Sequence, residues 1–175
     1  MKKIFLLINF LTILTINVFC QFWYVEILDL KRLDVYFLPQ QNDNYKDVLK
    51  SDLVNVYNKN VYIAMYSFTD VDIASAVVKA VQNGCNVYLI TDPTQAGSTS
   101  LDEWLESQGV QVRRKKSASS FMHDKYVVIE DEILWTGSTN FTASALNQDN
   151  NMIRFNNFNE LNKLYKEKFL WLWNK

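Results

Sequence analysis

Histidine is almost missing from this chain of 175 residues: there is one, His123. A site built from several imidazoles therefore cannot form within one copy. Any base or nucleophile that works as imidazole near neutral pH has to be that residue. Cysteine is nearly as scarce, with 2 in the chain. Cys20 lies in an N-terminal apolar stretch and Cys85 stands alone, which excludes a disulfide framework and a paired Cys-x-x-Cys metal site. Cys85 follows Gly84 at the start of a β-rich run and reads as a small buried residue. Only 4 Gly and 2 Pro argue against a disordered or fibrous chain. There is no charge excess either. The formal net charge of −1 gives no global attraction to a polyanion, so any basic footprint must be local.

The longest apolar run sits at the start. Met1-Lys2-Lys3 precedes an apolar run from Ile4 to Phe19, broken only by Asn9, Thr12, Thr15 and Asn17. This pattern predicts a signal peptide over residues 1–20, with cleavage after Val18-Phe19-Cys20. Phe22-Trp23-Tyr24-Val25 prolongs the run, so an uncleaved membrane anchor is the alternative. The protein is then secreted or periplasmic, or else membrane-anchored. Residues 21–33 read as a linker and 34–175 as one domain, a length that suits a single core.

That core has ample material: 49% of residues are hydrophobic, with 11 Phe, 9 Tyr and 5 Trp. β-rich runs over 35–38, 61–68, 87–90, 110–112 and 152–155 alternate with helical patterns over 44–58, 70–83, 101–108 and 158–173. Asp70 or Thr69 can cap the second helix, and Gly84 ends it. A short helix is expected near Thr142 to Leu146. Strands interleaved with helices predict an α/β fold, a mixed β-sheet flanked by helices in one domain. Trp104, Trp135, Trp171 and Trp173 read as core or interface residues.

Chemistry concentrates in one segment. His123-Asp124-Lys125-Tyr126-Val127-Val128-Ile129-Glu130 is followed closely by Gly137-Ser138-Thr139-Asn140. Alternation along a strand sends His123 and Lys125 to one face. A two-residue turn at Asp131-Glu132 pairs Glu130 with Ile133, which sets Lys125 opposite Ser138 and His123 opposite Asn140. Four phosphate-competent side chains then share a patch. His123 can attack phosphorus while Lys125, Ser138 and Asn140 hold non-bridging oxygens, and Gly137 lets backbone approach the phosphate. No acidic cluster with metal-ligand spacing accompanies them, so neither a metal nor another cofactor is expected. One histidine cannot attack and also protonate the leaving oxygen, so a second copy must contribute its own His123. The expected assembly is a homodimer.

His-x-Lys, an acid five positions after the Lys, then Gly-Ser-x-Asn resemble the HKD motif of the phospholipase D superfamily. Met65-Tyr66-Ser67-Phe68-Thr69 and the helix after it are similar to the single-motif nucleases, the Nuc-type bacterial endonucleases and their Zucchini-type relatives. The resemblance implies a phospholipase D-like fold, a homodimer, a phosphohistidine intermediate and metal-independent cleavage of phosphodiesters. It also implies catalytic roles for His123, Lys125, Ser138 and Asn140, with Glu130 standing where the family usually has Asp. An acid or amide that orients the histidine is expected at Asp149 or Asn150.

Arg113-Arg114-Lys115-Lys116, just before the motif, either forms a solvated edge or contacts a phosphate backbone. The sequence thus predicts a phosphodiesterase, most readily an endonuclease acting on DNA or RNA without sequence preference. Two alternatives are a phospholipid hydrolase, which a membrane association would favour, and a non-catalytic nucleic-acid-binding module.

Overall fold

The computed structural model describes residues 33–39, 44–95, 97, 99–115 and 121–175. The expected signal or anchor at 1–20, most of the 21–33 linker and Lys116 lie outside the described residues. Asp34–Lys175 forms one compact unit. No helix among the described residues is long and apolar enough to cross a membrane.

Seven strands form one mixed sheet in the order β1-β7-β6-β5-β2-β3-β4. They are β1 Leu33–Leu38, β2 Asn60–Met65, β3 Asn86–Thr91, β4 Gln111–Arg114, β5 Lys125–Ile129, β6 Ile133–Gly137 and β7 Asn150–Asn156. The helices are α1 Tyr45–Val54, α2 Val71–Gln82, α3 Asp102–Ser107 and α4 Asn159–Asn174. The expected short helix after the motif is a 3₁₀ turn over Ala143–Asn147. The α/β architecture read from the sequence is the one observed.

Strands β2, β3 and β4 pair in parallel, while β5 runs antiparallel to β2 and begins the meander β5-β6-β7. On one face, Leu49 and Leu53 of α1, Ile73, Ala74 and Val77 of α2 and Leu105 of α3 pack on Val61, Ile63, Leu89, Val127 and Trp135. On the other, Phe169 and Leu172 of α4 cover Tyr62, Ala64, Ile90, Val128 and Leu134. The clean alternation of β5 and β6 between these two clusters is the period-2 pattern of strands buried on both sides. Asp70 caps α2 by accepting from the amides of Asp72 and Ile73.

The run expected as strand over 61–68 stops at Met65. Beyond it the chain crosses to the loop after β6, where the amides of Thr69 and Asp70 bond the Phe141 carbonyl. Of the tryptophans, Trp135 is fully buried, while Trp104 and Trp171 are exposed.

A polar network locks the β1 edge. Arg154 on β7 forks onto both oxygens of Asp52 in α1 at 2.8 and 2.9 Å and reaches Asp34 of β1 at 3.2 Å. Trp135 Nε1 donates to the same Asp52 at 2.8 Å. The hydrogen bonds that Arg154 donates to Asp52 hold its guanidinium above the ordinary pKa, against its burial. Asp52→Ala leaves a largely buried guanidinium with only its Asp34 contact and an indole N–H without its acceptor. The expected cost is about 3 kcal/mol, read as a lower urea midpoint at unchanged m-value.

Candidate active site

The carboxyl ends of β2, β3 and β4 fall at Met65, Thr91 and Arg114, and the pairing of Met65 with Lys125 brings the start of β5 to that same end. The meander adds the end of β6 at Gly137 and the start of β7 at Asn150. This crevice beyond the strand ends is where open α/β sheets place ligands. His123, Lys125, Ser138 and Asn140 all occur on its rim.

His123 is exposed and precedes β5 in irregular backbone. It still meets Lys125, whose Nζ lies 3.3 Å from His123 Nδ1 and donates to the His123 carbonyl at 2.8 Å. Lys125 is only 7% exposed and forms no ion pair among the described residues. Burial pulls its pKa below the ordinary lysine value, and the Asp124 charge offsets only part of that. An ammonium only donates, so in this contact Nδ1 accepts and a neutral ring carries its proton on Nε2.

Ser138 and Asn140 arrive by a different route from the one expected. The hairpin pairs Ile129 with Ile133 and Tyr126 with Thr136, one residue out of the register the sequence suggested. A third loop residue is accommodated because Asp131 adopts φ 62°, a left-handed conformation that Asp tolerates. Continued, this register sets Lys125 against Gly137 rather than Ser138. Ser138 instead turns to β7: its amide bonds the Asn151 carbonyl at 3.0 Å and its hydroxyl donates to Asn150 Oδ1 at 2.9 Å. Asn140 Oδ1 accepts the Ser67 amide at 3.3 Å, pinning the loop to the segment after β2. Of the two candidates for support, Asn150 holds Ser138, whereas Asp149 is exposed in the bend before β7.

Gly137 has another role than the one expected. A Cβ there would lie 2.1 Å from the Asn151 carbonyl oxygen and 3.0 Å from Met152 Cα. The missing Cβ makes room for the neighbouring strand β7.

Glu130 does not belong to the site. It lies beyond the opposite end of β5, about 17 Å from Lys125 at the rise of a strand. There it takes an ion pair from Lys166 of α4 and a hydrogen bond from Asn60 of β2. Burial opposes its ionisation, but Lys166 and Asn60 outweigh it and hold the carboxyl below its ordinary pKa. It braces three elements.

The basic run divides as well. Arg114 is committed to Asp102 and Glu106. Arg113 stacks over Trp173 at 5.5 Å, and Lys115 donates to the Leu172 carbonyl; neither has a carboxylate partner among the described residues. Both stand at the site end of the sheet.

Two residues of the site escaped the sequence reading. Asp92, just past β3, is 2% exposed and its carboxylate accepts the Met122 amide at 2.7 Å, fixing the chain one residue before His123. Its burial is outweighed by bonds from Thr94 and Met122, so its pKa is lowered. An Asp just past a parallel strand and followed by Pro was the available signal. The other is Tyr66, whose ring centroid is 4.6 Å from that of His123.

A family model described as "Cardiolipin synthase, PLD-like domain" matches residues 52–173. The mitochondrial cardiolipin hydrolase of Xenopus tropicalis is 31% identical over 116 residues, 66% of this chain and 55% of that protein. The mouse protein of the same name is 26% identical over 137 residues, 78% of this chain and 61% of its own length. The chain thus spans about half the length of the curated relatives it matches. Nuc from Salmonella typhimurium, a phospholipase D family member, superposes with a TM-score of 0.72 at 25% identity, over 81% of this chain and 93% of that one. NucT from Helicobacter pylori superposes with a TM-score of 0.70 at 22% identity, over 81% and 95%, a likeness of fold.

Two substitutions separate architecture from chemistry. Gly137→Ala forces β6 and β7 apart and is expected to cost about 1–3 kcal/mol, lowering Tm by roughly 3–10 °C in a thermal melt. Glu130→Gln is expected to keep kcat within about 2-fold, since nothing at the strand's far end touches a reacting atom. Because the folded pKa of Glu130 lies below the unfolded value of about 4.3, its contribution to stability is complete above that pH. It fades as pH falls through the folded value, so urea midpoints of the wild type and Glu130→Gln should differ at pH 7 and converge in acid.

Proposed function

This chain belongs to the phospholipase D-like family, and on that footing we propose that it is a metal-independent phosphodiesterase that cleaves nucleic acid through a phosphohistidine intermediate. The observation that carries the reading is the contact between His123 and the buried Lys125 at the carboxyl ends of the parallel strands. A nucleophile lies there beside a buried cation that forms no ion pair among the described residues. Ser138 and Asn140 stand on the adjoining loop, held by Asn150 and Ser67.

A phosphodiester entering the crevice offers Lys125 non-bridging oxygens in place of the imidazole. This frees Nδ1 to take the ring proton, so that Nε2 presents its lone pair to phosphorus. Attack forms the N–P bond and breaks the bond to the leaving oxygen. Lys125, Ser138 and Asn140 stabilise the charge that builds on the remaining oxygens. The His123 of a second copy protonates the leaving oxygen, then activates the water that hydrolyses the phosphohistidine. Side chains supply the nucleophile, the acid and the charge stabilisation, and the active unit is a homodimer.

Nucleic acid is favoured because the likeness to Nuc extends over 93% of that chain, and because Arg113 and Lys115 extend positive charge along the site end of the sheet. Phospholipid is the second reading. It rests on the names of the relatives, cardiolipin hydrolases, and on the apolar run at 4–25. That run acts as an export signal or a membrane anchor, placing the domain outside the cytoplasm or on a membrane face.

The test incubates the purified full chain with single-stranded DNA, duplex DNA, RNA and anionic phospholipid vesicles in excess chelator. DNA cleavage is expected to persist in chelator and to fall at least about 10³-fold in His123→Asn. Head-group release in preference to DNA cleavage would establish the lipid reading instead. Binding of DNA without turnover would reduce the protein to a binding module.

A further inference from the structure

Tyr66 is the first residue past β2, and its backbone is tied on two sides. Its amide donates to the Asp124 carbonyl at 3.1 Å and its carbonyl accepts from Thr91 Oγ1 at 3.4 Å. The ring is therefore set by three strands at once: its own, the start of β5 and the end of β3. Its hydroxyl accepts from Gln95 Nε2 at 2.9 Å, which fixes the ring's outer end. Lys125 Nζ lies 5.2 Å from the ring centroid, and the His123 ring 4.6 Å from it at 54°. Phe121 meets the same ring edge-on at 6.3 Å.

We infer that the Tyr66 ring is the positioning platform of the site, holding the Lys125 ammonium and the His123 imidazole in their working places. The inference rests on the phosphodiesterase reading of these two residues and adds the group that orders them.

The physical requirement is specific. A buried ammonium needs a counter-group to stay charged, and the usual one is a carboxylate. A carboxylate here would repel the phosphate that Lys125 has to bind. The negative face of an aromatic ring attracts the cation with no net charge to set against the substrate. The remaining partners of Lys125, the carbonyl and Nδ1 of His123, are likewise uncharged acceptors. The same ring restricts His123, which is exposed and lies outside the β5 ladder that would otherwise fix it. Misplacing a reacting group by about 1 Å costs on the order of 10²-fold in rate, so a platform of this kind is worth a comparable factor.

The single histidine makes the test direct, because the imidazole ring protons give one set of NMR signals for the whole protein. In the full chain the Tyr66 ring current should displace those signals from free-histidine positions. Tyr66→Leu should return them toward the free values and lower kcat about 10- to 100-fold, with the thermal midpoint close to wild type because Tyr66 is only half-buried. Tyr66→Phe keeps the ring face and loses only the Gln95 bond, so it should restore both the displaced signals and most of the rate. A folded Tyr66→Leu protein with wild-type histidine signals or wild-type kcat would overturn the inference. If the wild type turned over no phosphodiester, the functional reading would fail, while the histidine signals would still decide whether Tyr66 sets the ring.

Discussion

The antiparallel pairing of β5 with β2 is the constraint on which the rest of the structure depends. Strands β2, β3 and β4 all point the same way and deliver their loops to one end of the sheet. A fourth parallel strand would have put its first residue at the other end. Because β5 runs backwards against β2, its first residue, Lys125, lies beside the last residue of β2, Met65. One reversal therefore brings the segment before β5 against the segment after β2, and Tyr66 bonds Asp124 across that junction. The meander through β6 and β7 then returns Gly137 and Asn150 to the same end. The polar groups that β5, β6 and β7 bring to the crevice follow from that single choice of direction.

Charge is distributed to match. Acids and cations elsewhere in the fold are matched, Glu130 with Lys166, Asp52 with Arg154 and Asp70 with Lys46, and so is Arg114 at the end of β4, with Asp102. Each pair joins separate segments of the fold, so these ions act as ties between layers. At the crevice the pattern changes. Lys125 is buried with an aromatic face, a carbonyl and an imidazole around it, and Asp92 spends its carboxylate on Thr94 and on the Met122 amide. A nearly neutral chain can thus keep a buried cation out of an ion pair at the crevice, which the net charge of −1 does not reveal.

The layered fold and most of its elements were legible because their periodicities are strong. The Ile73, Ala74 and Val77 stripe of α2 and the apolar run of β2 leave little choice, and their burial is nearly complete. What was not legible depends on single residues in turns. The hairpin register shifted by one because Asp131 takes a positive φ, a backbone choice that no hydrophobic pattern encodes. The end of β2 at Met65 was hidden for a related reason. Tyr66 and Phe68 look like strand residues, but Phe68 leaves the sheet to pack edge-on against Phe141, and Tyr66 turns to the histidine. His123 and Lys125 meet although strand alternation does not hold at His123, which precedes β5. The short backbone hop between them suffices.

The placement of Glu130 shows why a motif read along the chain mixes two kinds of residue. From His123 to Asn140 the backbone traverses the sheet along β5, turns, and comes back along β6. Residues near the two ends of that segment meet at the crevice, while its middle is carried to the far edge. Seven positions separate His123 from Glu130 in the chain, and an extended strand turns most of that into distance. Fifteen positions separate His123 from Ser138, yet the return strand cancels most of it. Sequence proximity to a nucleophile is therefore a poor guide to chemistry within a hairpin, and the better guide is distance from the turn. By that measure Glu130, Asp131 and Glu132, at the turn itself, are structural. Glu130 clamps the turn to β2 and α4 through Asn60 and Lys166, so the acid of the motif keeps its two strands in place from the end where no substrate arrives.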